Sequence, residues 1–343
     1  MGSVKDLEII RKPTKEEAGI GRFIFSDRYS VFDWGEMPDY IENKGKALCI
    51  VGAYFLEKLE KEGIKTHYRG VVQNSTVKKL SELKEPTNIM EINLLRVLKP
   101  KLKNNNYDYS IYKNETGNFL IPLEIIYRNY LTSASSLYKR IISGLVKKEE
   151  VGLNEIDSLP VKLPKTYFDV STKLERSDRY LSWEEAKEIV SLSEKELNEI
   201  KNITSKIEKI ITSEVEKIGL INEDGKIELG FDSKRSFIVV DILGTPDECR
   251  FTFENIPVSK EALRIYYRKT SWFNEIENAK KIDKINWKEY VKIEPPKLPK
   301  NLKEIISNIY QSLCNEITEN KWFNVPDFKI CLNELKSIIS KYQ

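Results

Sequence analysis

GLINEDGKIELGFDSKRSFIVVD, residues 219–241, is the stretch on which the reading of this chain turns. Asp224, Lys226, Glu228 and Gly230 recur at every second position, which is the period of a strand. The polar segment Asp232-Ser233-Lys234-Arg235 suits a hairpin turn. With Ser233 and Lys234 at its centre, Glu228 pairs with Val239 and Lys226 with Asp241. Glu228 and Asp241 are then diagonal neighbours on one face, their Cβ atoms roughly 7–8 Å apart. Two carboxylates at that spacing can converge on one hard cation, and a lysine between them can hold a phosphate. That is the layout of an ATP site with Mg²⁺. The plainer reading is a solvated strand face, whose cross-strand Lys–Asp pair is worth about 0.2–1 kcal/mol. On spacing alone the plainer reading is the stronger.

Outward from the hairpin, helical and strand patterns mix. Ser182 and Glu185 have capping-box spacing and open one long helix. Ile200, Ile203, Ile207, Ile210 and Ile211 form its apolar stripe, which reads as core. Residues 153–168 hold two prolines and read as a surface connection, and residues 127–148 read as helical. Strand-like runs fill residues 67–125, broken by the polar stretch 101–109, and residues 20–33 read as a strand entering a turn. Leu48, Val51, Phe55 and Leu59 place a helix over 46–62. Pro295, Pro296 and Pro299 mark a linker. Beyond it, two amphipathic helical patterns flank Asn324-Val325-Pro326-Asp327, suited to covering a core edge or to self-association as a homo-oligomer. This is an α+β pattern. The expected division is a β-rich lobe over 1–120, a larger α+β lobe over 121–294 and a helical extension over 300–343.

Composition narrows the function classes. The chain has 343 residues, 40% hydrophobic and 32% charged, as in a soluble globular protein. Its 56 basic and 53 acidic residues leave a net charge of +3, no electrostatic footprint for nucleic acid. No apolar run is long enough for a membrane span, and the opening MGSVKD carries no apolar signal region. The four cysteines, Cys49, Cys249, Cys314 and Cys331, show no CxxC spacing, so a reducing, cytoplasmic setting is expected. With His67 the single histidine, zinc hydrolysis or a Ser-His-Asp triad would rest on that one residue, and a structural, hydrogen-bonding role fits it better.

Neither GxxxxGK[ST] nor GxGxxG is present. Six other motifs stand in order: Asp27-Arg-Tyr-Ser-Val-Phe-Asp33, Lys44-Gly45, Ile121-Pro-Leu-Glu-Ile-Ile-Tyr-Arg128, Ser171-Thr-Lys173 with Glu175, Asp224-x-Lys226-x-Glu228-x-Gly230, and Asp241 followed by Thr245-Pro-Asp247-x-x-Arg250-Phe251. In these motifs the chain resembles the SAICAR synthetases, the phosphoribosylaminoimidazole-succinocarboxamide synthases of purine biosynthesis, over roughly residues 10–270. The wording DRYSVFDWGEMPD resembles the longer archaeal-type members.

The resemblance implies a two-lobed fold, with an antiparallel β lobe, a larger α+β lobe and ATP in the cleft. It implies ATP-driven amide formation between carboxyaminoimidazole ribotide and L-aspartate through an acyl phosphate, giving SAICAR, ADP and phosphate. Its small-molecule partners are ATP, the ribotide and aspartate. Glu228 and Asp241 become Mg²⁺ ligands, with Lys226 on phosphate, these three forming the catalytic set. Residues 119–125 become the hinge to adenine, with Glu124 in the ATP site, and Lys12 or Lys15 the first lobe's phosphate lysine. Asp33, Arg128, Ser135, Ser136, Lys173, Asp247, Arg250 and Arg264 become substrate contacts, Asp247 for the aspartate amine. Two departures stand out: Ile242 replaces the usual acid after the metal aspartate, and Thr132-Ser-Ala-Ser-Ser136 replaces the usual Thr-Gly-Ser. An altered serine loop would also suit another ATP-dependent carboxylate–amine ligase or a small-molecule kinase on the same fold. A third reading, a nucleotide-binding or assembly protein working through residues 301–343, is opposed by the retained carboxylates.

Overall fold

A computed structural model describes residues 4–104, 106–258 and 260–342. The first part is a five-stranded antiparallel sheet built from β1 (Lys5–Arg11), β2 (Gly19–Phe25), β3 (Tyr68–Gln73), β4 (Thr76–Lys78) and β5 (Ile89–Leu94), in the order β1-β2-β5-β3-β4. Helix α1 (Lys44–Lys61) covers one face with Leu48, Val51, Phe55 and Leu59 buried, the helical period read from the sequence. Asp27 starts this helix, its carboxylate accepting from the Asn43 and Gly45 N–H groups at 3.2 and 2.9 Å. Gly45 is required there, since a Cβ would stand 2.7 Å from the Phe25 carbonyl oxygen.

A small ribbon, β6 (Lys101–Lys103) with β7 (Asn106–Asp108), separates this sheet from a second. The second comprises β8 (Phe119–Leu131), β9 (Val161–Thr172), β10 (Ile221–Phe231), β11 (Phe237–Val240), β12 (Cys249–Phe253) and β13 (Ile256–Pro257), in the order β13-β12-β10-β8-β9 with β11 also on β10. Helices α2 (Ser136–Ile142), α3 (Trp183–Val190) and α4 (Glu194–Lys217) fall between its strands, α4 packing on β8 and β10. Then come α5 (Lys260–Tyr267), α6 (Ser271–Ile282), α7 (Lys300–Thr318) and α8 (Phe328–Ile339). The two sheets are joined by bridges at Thr66–Val239 and Arg96–Phe119. One continuous core runs from Phe25 through α1 and the second sheet to Leu313 and Leu335. Among the described residues no helix is long and apolar enough to cross a membrane.

The α+β class read from the sequence holds, and four local expectations do not. Residues 127–131 continue strand β8, leaving only Ser136–Ile142 as helix, because β9 and β10 flank β8 and bury Tyr127 and Leu131. The second half of the supposed connection over 153–168, from Val161, is β9; Pro164 is tolerated because β9 is the sheet's edge strand. The long helix is two, broken where Ser191 turns left-handed (φ 54°) and Ser193 with Glu196 forms a second capping box. The hairpin register differs by one residue: Glu228 pairs with Val240 and Phe231 with Phe237, so residues 232–236 form the turn.

Candidate active site

Three adjacent strands supply the floor of the site. On β10, Asp224, Lys226 and Glu228 share a face by the strand alternation. Across the ladder to β8 stand Arg128, Ile126 and Glu124, and across to β12 Arg250 stands opposite Asp224. Asp224 is therefore clamped from both sides: its Oδ2 accepts from Arg128 Nη1 at 3.0 Å and from Arg250 Nη1 at 2.9 Å. Arg128 Nη2 also donates to Ser136 Oγ at 3.0 Å, to Tyr180 Oη at 3.3 Å and to Asp169 at 3.4 Å. Asp224, Arg128, Arg250, Ser136 and Tyr180 line a cavity of about 210 Å³ with Glu124, Lys226, Glu248, Lys260 and Arg264. A neighbouring hollow of about 470 Å³ shares Arg250 and takes in Thr132, Ser133 and Ala134.

At the other end of the row the charges are denser. Lys226 Nζ lies 3.0 Å from Glu124, 3.4 Å from Glu248 and 3.8 Å from Glu228. Lys173 is salt-bridged to Glu228 and stands 3.7 Å from Glu124. Lys5, on β1 of the other sheet, is salt-bridged to Asp241. Burial would lower Lys226, but Glu248, Glu124, Glu228 and Asp241 hold it well above the usual lysine range. Burial and the neighbouring Asp241 push Glu228 up, whereas Lys5, Lys173 and Lys226 outweigh burial at Asp241 and hold its carboxyl low. Burial and the charge of Glu124 also raise Asp178.

This cluster fits a divalent cation. The carboxylates of Glu124, Asp178, Glu228, Asp241 and Glu248 outnumber the ammonium groups of Lys5, Lys173 and Lys226, and Glu228 and Asp241 repel one another. Among the described residues no group of three or more acidic, histidine or cysteine side chains is placed to hold a metal ion by itself. Magnesium needs none, since it takes one or two carboxylates and completes its shell with water and phosphate oxygens.

The sequence model of the SAICAR synthetase family matches residues 13–284. This chain belongs to the SAICAR synthetase family. A phosphoribosylaminoimidazole-succinocarboxamide synthase from Thermoplasma acidophilum is 34% identical over 88% of this chain and 93% of its own length. A protein of Archaeoglobus fulgidus, provisionally given the same name, is 52% identical over 99% of this chain and 100% of that one. Among solved structures, the Saccharomyces cerevisiae SAICAR synthase complexed with SAICAR superposes with a TM-score of 0.62 at 22% identity, covering 94% of this chain and 95% of that one. A type-2 SAICAR synthetase in complex with ADP gives 0.56 at 23% identity, covering 87% and 99%. At those identities the two structures establish the shared fold.

Against the SAICAR synthetase motifs, the structure brings together Glu124, Arg128, Ser136, Lys173, Lys226, Glu228, Arg250 and Arg264, with Asp241 closing the charge cluster. Asp241 arrives by another route than diagonal pairing. It follows the last residue of β11 and takes a left-handed φ of 62°. Ile242 N–H donates to its Oδ1 at 2.8 Å, and its carbonyl oxygen accepts from His67 Nε2 at 3.0 Å. His67 thus has the structural, hydrogen-bonding place expected, and burial pushes its pKa down to about 4.

Other expected residues stand elsewhere. Lys12 and Lys15 are exposed, Lys15 lying 3.6 Å from Glu115; the first-sheet lysine that reaches the carboxylates is Lys5. Ser135 is buried as the cap of α2, accepting from Tyr138 N–H at 3.1 Å, so only Ser136 faces Arg128. Asp247 borders the same cavity, but its side chain has no exposure and both its oxygens are engaged, by Lys44 and by Tyr310. Asp33 is exposed with a left-handed φ of 63°, and its charge is felt at Asp178. Glu248, Asp178 and Tyr180 were not anticipated. Glu248 could have been read from the acid beside Asp247 in the Thr-Pro-Asp motif, while Asp178 and Tyr180 carry no sequence signal. Ile242 is buried beside Gly52 of α1, which explains why an acid is absent there.

Proposed function

We propose that this protein joins L-aspartate to carboxyaminoimidazole ribotide with ATP, giving SAICAR, ADP and phosphate. One observation carries the reading. The clamp Arg250–Asp224–Arg128 lies on the same strands and in the same cavity as Lys226 and its carboxylates. Guanidinium groups suit an anionic ribotide, and the lysine–carboxylate end suits a triphosphate with its cation.

The chemistry follows from the weakness of a carboxylate as an electrophile. A ribotide carboxylate oxygen attacks the γ-phosphorus of ATP, the bond to the bridging oxygen breaks and ADP leaves. The aspartate amine then adds to the acyl carbon, phosphate departs with the electrons of the C–O bond, and the amine nitrogen loses its proton. The protein's share is positioning and charge neutralisation. Arg128, Arg250, Arg264 and Ser136 hold and orient the ribotide, and Lys173 keeps Glu228 in place. Lys226, steadied by Glu124 and Glu248, and Lys5 neutralise phosphate oxygens. The hinge to the base would be 119–125, where Ile121 lies outside the pairings of β8 with both β10 and β9. Glu228 and Asp241 would hold Mg²⁺, which when bound offsets phosphate charge. Residues 1–120 then contribute Lys5, and residues 121–294 the rest. The free, buried cysteines suit a cytoplasmic setting.

The test is a coupled assay containing ribotide, aspartate, ATP and Mg²⁺, with each omitted in turn. The proposal expects SAICAR only from the complete mixture. ADP release with another acid, and none with the ribotide, would assign a different ligase or kinase of the same fold.

A further inference from the structure

Asp247 lies at the hub of the loop that delivers Glu248 and Arg250 to the cavity. Its Oδ2 is 2.8 Å from Lys44 Nζ and 3.6 Å from Lys260 Nζ. Its Oδ1 accepts from Tyr310 Oη at 2.6 Å. The Lys44 ammonium also sits 5.4 Å from the centre of the Tyr310 ring. Three elements meet here: the starts of α1 and α5 and the middle of α7. Burial would raise the Asp247 carboxyl, but Lys260, Lys44 and the Tyr310 hydroxyl hold it well below the usual range.

The loop around Asp247 is tight. The Glu248 and Cys249 N–H groups donate to the Thr245 carbonyl at 3.1 and 2.9 Å, and Asp247 N–H donates to Thr245 Oγ1 at 3.3 Å. Gly244, with φ 70°, enters the loop where a Cβ would stand 2.2 Å from the Phe55 ring. A turn built this way moves as a unit. Shifting Asp247 therefore shifts Glu248, 3.4 Å from Lys226, and Arg250, 2.9 Å from Asp224. Tyr310 lies on α7, beyond residue 284, where the match to the family model ends.

We propose that Tyr310 is a positioning residue for the reaction, and that through its hydrogen bond to Asp247 helix α7 sets where Glu248 and Arg250 stand in the cavity. Covering α1 does not require this hydroxyl, because Leu302, Ile305, Ile309 and Leu313 supply α7 with buried apolar side chains. A phenylalanine would serve for cover. The hydroxyl is aimed at a buried carboxylate, and a hydrogen bond to a charged group is among the strong ones.

The inference rests on the proposed ligase activity, which the wild-type assay tests by itself. Given an active wild type, Tyr310→Phe removes only the hydroxyl. The expected result is a kcat/KM for the ribotide lower by about 10- to 100-fold, the cost of displacing groups that position substrate. Mg·ATP affinity by calorimetry should weaken as well, since Glu248, one of the displaced groups, stands 3.4 Å from Lys226 and steadies it for the phosphates. Gln311→Met is the control: it loses the 3.2 Å bond from Asn43 and the bonds it gives to Ser307 O and Oγ at 3.2 and 2.9 Å, none of which touches the Asp247 carboxylate. It should lower the melting temperature and leave kcat/KM within about twofold. Assays run at a temperature where circular dichroism shows each variant folded. Wild-type-like kcat/KM in Tyr310→Phe, or equal kinetic losses in both variants, overturns the proposal.

Discussion

The ammonium of Lys5 is salt-bridged to the carboxylate of Asp241, tying the first strand of one sheet to the residue that follows the β10–β11 hairpin of the other. Burial opposes the charge on Lys5, yet Asp241, Glu248 and Glu228 together keep its pKa above the ordinary value. An ammonium in that position neutralises carboxylates, and on the proposed reading it meets the phosphates of ATP. Lys5→Met should therefore lower kcat/KM for ATP by about 100-fold, the usual cost of one preorganised donor. Lys12→Met and Lys15→Met should stay within about twofold, because both side chains are exposed. Steady-state kinetics with ATP varied decide between the three lysines, and a normal Lys5→Met would return the role to the other two.

Asp241→Asn keeps the side chain's shape and its acceptor for the Ile242 N–H, while removing a charge from the cluster. Turnover should fall by about 1000-fold or more, since one proposed metal carboxylate is lost. The far-ultraviolet circular dichroism should match the wild type. Mg²⁺-dependent ATP binding by calorimetry should weaken in step with activity. Tight binding with no dependence on Mg²⁺ would remove Asp241 from the metal site.

Much of this site was legible because its residues sit inside short local patterns. Alternation along 224–230 gave β10 its charged face, and the resemblance to the family's Thr-Pro-Asp-x-x-Arg motif marked Arg250, which the structure sets opposite Asp224. What was not legible depends on distance or on loop detail. The hairpin register was off by one because Asp232 caps a longer turn, its Oδ1 accepting from both Lys234 and Ser236 N–H groups at 2.9 and 2.8 Å. A one-residue slip normally turns a side chain to the other face. The left-handed backbone at Asp241 accompanies its place beside Lys5, and no local pattern announces it. Lys5 itself carries no signal, since its partner is in the other sheet. Pro164 misled for a similar reason, because edge strands are recognised only once the sheet is assembled.

His67 makes the acid limb of the stability profile predictable. Burial lowers its pKa from 6.5 to about 4, so the folded state binds the proton less readily than the unfolded chain. Its contribution is then complete above the unfolded value and is lost as pH falls from 6.5 toward about 4. A full shift of that size corresponds to roughly 3 kcal/mol. Glu223, pushed up to about 7 by burial and Asp224, acts in the opposite sense, losing stability as pH rises toward that value. The difference between wild type and His67→Asn isolates the histidine. Urea midpoints of the wild type should fall more steeply than those of the variant between about pH 6.5 and pH 4. Parallel curves would mean that His67 is not held neutral.

Ile242 stands where the resemblance to SAICAR synthetases leads one to expect an acid, and the structure gives a physical reason for the exchange. The side chain is 4% exposed, and a Cβ on the facing Gly52 of α1 would stand 3.0 Å from its Cγ2. Its only polar tie to the site is the main-chain N–H given to Asp241. Glu248 instead reaches Lys226 from the far side of the same loop, so the charge cluster does not depend on position 242. Ile242→Val should cost about 1 kcal/mol, the usual range for one buried methyl group. Ile242→Asp should cost about 3 kcal/mol or more, because a carboxylate there is buried against α1 with no partner. Urea denaturation of both variants checks the pair. If Ile242→Asp is as stable as the valine variant, the side chain has found solvent or a cation. In that event position 242 belongs to the metal site rather than to the packing behind it.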